Sequence, residues 1–183
     1  MVKFKFLPMI MAALASSASL ASAAGCNAKA SQVWAANASR ELRIEALADG
    51  PYCTVAVVLL VIRNSKGEPL WIESSKADDI FTFTQSNPTT VKAMTEALKE
   101  WIRKDDRLLR SGTLPDWKEG SDAAGASEFP FYVDEGVTRD EYLNIRKAEL
   151  PMYCHVAGME SEACVVLKKD GTIEKIGSQS FPG

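Results

Sequence analysis

The chain contains a single histidine, His155, so any catalytic triad built on histidine must use this residue. Ser161 follows it closely, but no Gly-x-Ser-x-Gly nucleophile elbow is present. Its neighbours Cys154 and Val156 are typical of the interior of a strand. These features favour a structural histidine. The alternative is a hydrolase that uses His155 together with nearby carboxylates.

Adjacent acidic residues are a second candidate for chemistry, because glycoside hydrolysis needs two carboxylates that face each other across a cleft. The pairs are Asp78-Asp79, Asp105-Asp106, Asp134-Glu135 and Asp140-Glu141. Adjacency in sequence does not place two carboxylates across a cleft. The last pair is better explained by the first turn of a helix, where negative charge meets the helix dipole. We therefore predict no catalytic residues.

Metal and haem sites are also unfavourable. Cys154, His155 and Cys164 are residue types that zinc accepts, but consecutive residues on a strand point to opposite faces. Met159 and His155 are haem-ligand types, yet there is no Cys-x-x-Cys-His attachment motif. No EF-hand, P-loop or dinucleotide-binding spacing occurs. We expect neither a metal nor a cofactor.

Aromatic residues between positions 111 and 137 are the main candidates for binding. This segment carries Gly, Pro and Ser together with Trp117, Phe129, Phe131 and Tyr132. It is longer than most connections in compact domains, which is typical of functional loops. The aromatic residues either line a ligand or partner site or, as we favour, fold back to cover a sheet edge.

A second candidate recognition surface is the polar segment 158–162, which includes Met159 and Glu160. It lies between two cysteines, and a disulfide across it would hold it as a fixed loop.

The N-terminus has the three-part pattern of a secretory signal peptide. Lys3 and Lys5 precede a short apolar run, and small residues follow up to Ala24. The run is too short to be a stable membrane anchor. We predict that residues 1–23 are cleaved, that residues 24–183 form one domain, and that a bacterial protein of this kind is periplasmic or secreted.

The four cysteines are expected to form two disulfides in such an oxidising compartment. Of the three connectivities we favour Cys26 with Cys53 and Cys154 with Cys164, because each closes a short loop. The alternative is a lipid anchor at Cys26, since the preceding Ala23-Ala24-Gly25 is similar to a bacterial lipoprotein box. The protein would then be an outer-membrane lipoprotein with an unpaired thiol.

Composition sets further limits. The chain is 46% apolar and 25% charged, as in an ordinary globular domain, which excludes disordered and collagen-like classes. Its formal net charge of −3 becomes more negative when Lys3 and Lys5 are removed. A mildly acidic domain argues against nucleic acid or anionic lipid as the main partner.

Periodicity predicts the elements that position these residues. Residues 30–48 are rich in helix-forming types and end at Gly50-Pro51, which predicts a helix. The apolar run 55–62 predicts a central strand buried on both faces, with 70–74 as its hairpin partner. Residues 80–84 indicate a further short strand or an ordered loop.

The second half of the chain is predicted in the same way. Ser86-Asn87-Pro88 is interpreted as the start of an amphipathic helix that continues to Ile102. Thr138 and Glu141 form a capping-box pattern for another helix. Strands are predicted at 152–157, 163–168 and 172–176, and Asp170-Gly171 predicts a hairpin turn between the last two. The resulting fold class is α+β, with an antiparallel sheet of about five strands, helices packed on one face and the order α-β-β-α-α-β-β-β.

We therefore expect an exported, non-enzymatic binding or accessory domain for a protein, glycan or small-molecule ligand. The alternatives are a periplasmic hydrolase that uses His155 and a lipid-anchored envelope accessory protein. A hydrolase requires His155 beside a concave pocket and an acidic group, whereas a binding domain requires a groove lined by loop aromatics. The accessory alternative requires a lipid on Cys26.

Overall fold

The computed structural model describes residues 25–37, 40–103, 107–125 and 128–180. The predicted signal peptide and the Asp105-Asp106 pair lie outside the described residues.

The first half of the chain forms a four-stranded antiparallel sheet, which we call sheet 1. Its strands follow one another in chain order as a meander. They are β1 Cys26–Asn37, β2 Arg40–Gly50, β3 Val57–Arg63 and β4 Pro69–Lys76.

The second half supplies a five-stranded antiparallel sheet, which we call sheet 2. Its strands are β5 Leu108–Arg110, β6 Phe131–Val133, β7 Pro151–Val156, β8 Ser161–Leu167 and β9 Ile173–Ser180. They lie in the order β5-β7-β8-β9-β6. The two short strands β5 and β6 therefore form the edges.

Three α-helices complete the described elements: α1 Phe81–Ser86, α2 Val91–Trp101 and α3 Arg139–Lys147. Helix α2 packs against β1 and β2. The side chain of Thr90 caps α2 by accepting from the backbone of Ala93, and Thr138 caps α3 by accepting from Glu141. The predicted cap at Thr138 is thus confirmed.

Sheet 2 lies between two hydrophobic cores. The first core joins the inner face of sheet 1, α1 and α2 to Tyr153, Val165 and Leu167 of sheet 2. The second core joins α3 and the segment after β5 to Met152 and Val166. Consecutive residues along each of β7 and β8 therefore point into opposite cores, because side chains alternate between the two faces of a strand.

The predicted fold class is wrong. The described residues form two antiparallel sheets with nine strands, not one five-stranded sheet with helices on one face, and the element order differs. The main cause is the segment 30–48, which forms the β1–β2 hairpin instead of a helix. Its alanines pair across the hairpin at Ala28–Ala48 and Ala30–Ala46. Small side chains there allow α2 to approach the sheet, and tertiary packing overrides their helix propensity.

Two local predictions also need correction. Residues 81–86 form helix α1 rather than a strand or loop. Helix α2 begins at Val91 after the cap Thr90, so the segment Ser86-Asn87-Pro88 lies before it. The two predicted hairpins, β3–β4 and β8–β9, are present.

Both disulfides have the favoured pairing, Cys26–Cys53 and Cys154–Cys164, and the structure contains no free cysteine in its described ranges. The first joins the start of β1 to a 3-10 turn, Cys53–Val55. The second joins directly opposed residues of β7 and β8. The Sγ atom of Cys26 is bonded in this disulfide, so a lipid thioether requires the disulfide to be absent.

Candidate functional site

His155 lies in the interior between the two sheets and is 0% exposed. Its ring contacts Trp71 of β4, Trp101 of α2 and Tyr153 of its own strand, with centroid distances of 5.7, 6.1 and 5.9 Å. The indole nitrogen of Trp101 donates a 2.8 Å hydrogen bond to the carbonyl of Val156 and so fixes one wall of this aromatic enclosure. The histidine that sequence reasoning singled out is part of the core.

Glu73 of β4 supplies the charged neighbour of His155, with 3.2 Å between Oε2 and Nε2. Burial raises the pKa of Glu73, but the adjacent imidazole and the Lys175 ammonium outweigh this effect and hold the pKa below its ordinary value. An acid within reach of the histidine is what the hydrolase alternative requires. Access from solvent to His155, which it also requires, is absent.

The loop aromatics divide into two groups. Trp117 and Phe131 belong to the second core, where both rings contact Tyr142 at 5.6 and 6.2 Å. Phe131 is also the first residue of β6, which pairs with β9 at the edge of sheet 2. Phe129 and Tyr132 are each 37% exposed. The segment therefore supplies β6, the edge strand beside β9. No described cavity is lined by these four residues.

Met159 and Glu160 lie in the turn between β7 and β8, and both are exposed. The backbone of Gly158 in this turn accepts a hydrogen bond from Phe81 of α1. Ser161 pairs with Ser180, whose N–H donates to the carbonyl of Pro130. Met159 and Phe129 therefore share one end of sheet 2, but the exposed residues around them do not form a described pocket.

A different surface, missed by sequence reasoning, carries three of the exposed large apolar residues. We call it the outer face: the side of sheet 1 that points away from α2 and sheet 2. Val33, Val57 and Ile72 on this face are 45%, 49% and 57% exposed. Strand register places Leu47 beside Leu59 and Val61 beside Ile72, so apolar side chains adjoin one another on β2, β3 and β4, although Val61 itself is only 2% exposed.

The apolar run 55–62 is the sequence signal for this surface, but it predicts a strand that is buried on both faces. Strand β3 lies inside sheet 1, and its inner residues Val58, Leu60 and Ile62 are fully covered, as is Val61 on the outer face. Its outer residues Val57 and Leu59 retain solvent exposure. An apolar central strand can indicate an uncovered interaction face as well as a second covering layer.

A charged network borders the apolar area. Glu45 of β2 is only 7% exposed although it lies on the outer face. Its carboxylate contacts Lys29 Nζ at 3.2 Å and Arg63 Nε at 2.8 Å. Burial raises the pKa of Glu45, but these two cations outweigh it and lower the pKa overall. The carboxylate is thus ionised and already neutralised by its own neighbours.

Four of the cavities that the described residues line lie next to the sheets. One, of about 360 Å³, lies next to Glu45 and is lined by Glu41, Arg43, Arg63 and the β3–β4 turn. A cavity of about 410 Å³ adjoins it through Glu41 and Asn64 and reaches Asp170. A largely apolar groove of about 520 Å³ runs between α3 and the β8–β9 turn. The fourth, of about 290 Å³, borders the Cys26–Cys53 disulfide.

The described residues contain no group of three or more His, Cys, Asp or Glu side chains placed to hold a metal ion. Within the same residues, no helix has the length and apolar character needed to cross a bilayer. Comparisons with protein-family profiles, with curated protein sequences and with solved structures found no match.

Proposed function

We propose that the mature chain is an exported, non-enzymatic binding domain that docks a partner protein on the outer face of sheet 1. The observation that carries this proposal is the central strand β3, which is apolar on both sides although described elements cover only one. Exposed apolar side chains that share a face with charged side chains are characteristic of protein–protein contact surfaces.

The chemistry of the face selects the kind of partner. The strands carry Lys29, Arg43, Arg63 and Lys76 on this side, against Glu41, Glu45 and Asp49. The face is therefore slightly positive on a chain whose net charge is −3. A second copy of this chain would bring the same net positive charge to the contact, so the charge of the face favours an acidic partner over a symmetric dimer. The partner that fits presents an apolar surface with acidic side chains at its edge.

Two observations support the non-enzymatic and exported parts of the proposal. The single histidine is enclosed by three aromatic rings, so a substrate has no path to it in this structure. Two disulfides suit an oxidising compartment. Localisation in the periplasm or outside the cell is therefore part of the proposal.

Site-specific photo-crosslinking in the native envelope tests the docking face. A photoreactive amino acid is placed at position 33, 57 or 72 of the outer face, and at Lys92, an exposed residue of α2, as the matched control. We expect one discrete protein adduct from the outer-face positions and none from the control. Adding Ile72→Glu should abolish the adduct from position 33, whereas Lys92→Glu should not.

The stability of the variants separates docking from folding. Ile72 is more than half exposed, so Ile72→Glu should change the free energy of unfolding by no more than about 0.5 kcal/mol. Absence of adducts from all three outer-face positions, or an equal adduct from position 92, would exclude this face as the docking surface. An adduct partner without acidic residues at the crosslinked surface would contradict the partner chemistry.

A further inference from the structure

Two arginines lie directly opposite each other on the outer face. Strand register pairs Arg43 of β2 with Arg63 of β3. Like charges at directly opposed positions of an antiparallel sheet repel and destabilise it. Arg63 is compensated, because its Nε donates to Glu45 and its Nη1 donates to the carbonyl of Gly67 at 3.1 Å. Arg43 is exposed and makes no ion pair or side-chain hydrogen bond with any residue that the structure describes.

The β3–β4 turn adds a third cation beside this pair. The Asn64 carboxamide oxygen accepts hydrogen bonds from the backbone N–H groups of Lys66 and Glu68, at 2.9 and 3.0 Å. The N–H of Gly67 also donates to the carbonyl of Asn64. The turn is thereby fixed by its own hydrogen bonds. Lys66 lines the same 360 Å³ cleft as the two arginines.

The carboxylates of the cleft do not balance these cations. Glu41 and Glu45 also line the cleft. Glu45 is held by Lys29 from outside the cleft as well as by Arg63. Glu41 is exposed and forms no ion pair within the described residues. The cleft therefore contains three cationic side chains and only two carboxylates, and one of these carboxylates, that of Glu45, also pairs with Lys29. The net charge of the cleft is positive.

We infer that the Arg43–Arg63 cleft is the anchor for an acidic side chain, Asp or Glu, of the docked protein. This inference rests on the proposed docking face and names its specificity-determining contact. The planar guanidinium of Arg43 can bind a carboxylate with two parallel N–H···O bonds, while Arg63 and Lys66 supply further positive charge. Val33 lies directly opposite Arg43 on β1, so the residue next to the acidic anchor meets an apolar surface.

A defined peptide tests the anchor without knowledge of the natural partner. The probe is the capped peptide acetyl-Leu-Glu-Val-Glu-Leu-amide, titrated into the ¹⁵N-labelled mature protein and followed by NMR. We expect shifts confined to residues 41–45, 57–67 and 72, weaker binding at high salt, and at least tenfold weaker binding of the peptide with Gln in place of Glu.

Substitutions then assign the contact to Arg43. Arg43→Gln should weaken peptide binding at least tenfold, and Arg43→Lys should recover part of the affinity, because it restores the charge without the planar fork. Lys92→Gln, a neutralised exposed cation on α2, should have no effect. Arg43→Gln should not lower the melting temperature, because it removes a like-charge pair.

Each outcome decides between the two proposals. If Ile72-dependent crosslinking occurs but the Glu and Gln peptides bind Arg43→Gln and wild type alike, the anchor is wrong and the docking face stands. If cleft shifts are absent at the solubility limit of the peptide, the anchor is likewise wrong. Equal displacement of the peptide by millimolar inorganic phosphate would show a general anion site and overturn the assignment to an acidic side chain. Arg43-dependent peptide binding without any outer-face crosslink would overturn the docking face.

Discussion

At the scale of single residues, two buried polar contacts tie elements of the fold together. The hydroxyl of Ser111 donates to the carbonyl of Ile145 at 2.6 Å and accepts from the N–H of Leu150 at 2.7 Å. One side chain therefore holds the last turn of α3 and the residue before β7 together. Glu73 and His155 likewise join sheet 1 to sheet 2. Removing one member of such a pair leaves the other desolvated and poorly compensated.

Glu73→Gln should therefore lower the stability of the folded protein by about 1–3 kcal/mol at neutral pH. The pKa of Glu73 is held below its ordinary value of 4.5, so its stabilising contribution is complete above that pH and is lost as pH falls through the folded-state pKa. The difference in unfolding free energy between wild type and Glu73→Gln should shrink on acidification below pH 4.5. Urea titrations between pH 3 and 7 measure it.

A surface glutamate provides the control for this titration. Glu96 pairs with Lys99 on α2, and both side chains are largely exposed. Glu96→Gln should change stability by only a few tenths of a kcal/mol. A difference for Glu73→Gln that stays constant or grows toward pH 3 would show that the carboxylate is not stabilised by its buried neighbour.

At the scale of elements, sequence patterns predicted strands and caps where local chemistry decides them. Asp170-Gly171 predicts the β8–β9 turn, and Thr138 predicts the start of α3, because both signals act within a few residues. The β1–β2 hairpin was missed because its alanines favour a helix locally. Their role in the fold is to leave room for α2 to pack against these strands, which a local pattern does not reveal. The exposed outer face was missed because an apolar strand does not reveal how many of its faces are covered. The Arg43–Arg63 cleft depends on the register of β2 against β3, which composition cannot give.

The two disulfides differ in the lengths of chain that they close, and their contributions should differ accordingly. Cys26–Cys53 spans a sequence separation of 27 and Cys154–Cys164 one of 10. In the chain-entropy account the first stabilises by about 3.5 kcal/mol and the second by about 2.7 kcal/mol. Double Cys→Ala variants of each pair, unfolded in urea, should show this order.

The reverse order of losses would point to native-state packing as the larger effect. Each pair lies in a hydrophobic core, Cys26 and Cys53 in the first and Cys154 and Cys164 in the second, so replacing either pair also removes buried contacts. Unchanged stability of either variant would contradict a structural role for that disulfide. Reduction of the wild type with excess dithiothreitol, checked by intact mass, serves as the independent control.

At the scale of the whole molecule, sheet 2 makes the two cores dependent on each other. Tyr153 and Val165 face the first core, and Met152 and Val166 on the same two strands face the second. Loss of order in either core would uncover one side of β7 and β8, which are the central pairing of sheet 2. The two cores should therefore unfold as one cooperative unit.

Amide hydrogen exchange provides a direct test of this coupling. Ile62→Val shortens a buried side chain of the first core and should cost about 1 kcal/mol. If the cores unfold together, the amides of Val166 and Ile176 in the second core should exchange about fivefold faster, as a 1 kcal/mol loss of global stability requires. Ile145→Val should have the same effect on the amides of Ile44 and Leu60. Calorimetry should give a single transition with equal calorimetric and van't Hoff enthalpies. Exchange that accelerates only in the substituted core would show two separate folding units, and the shared sheet would then be a contact surface between them.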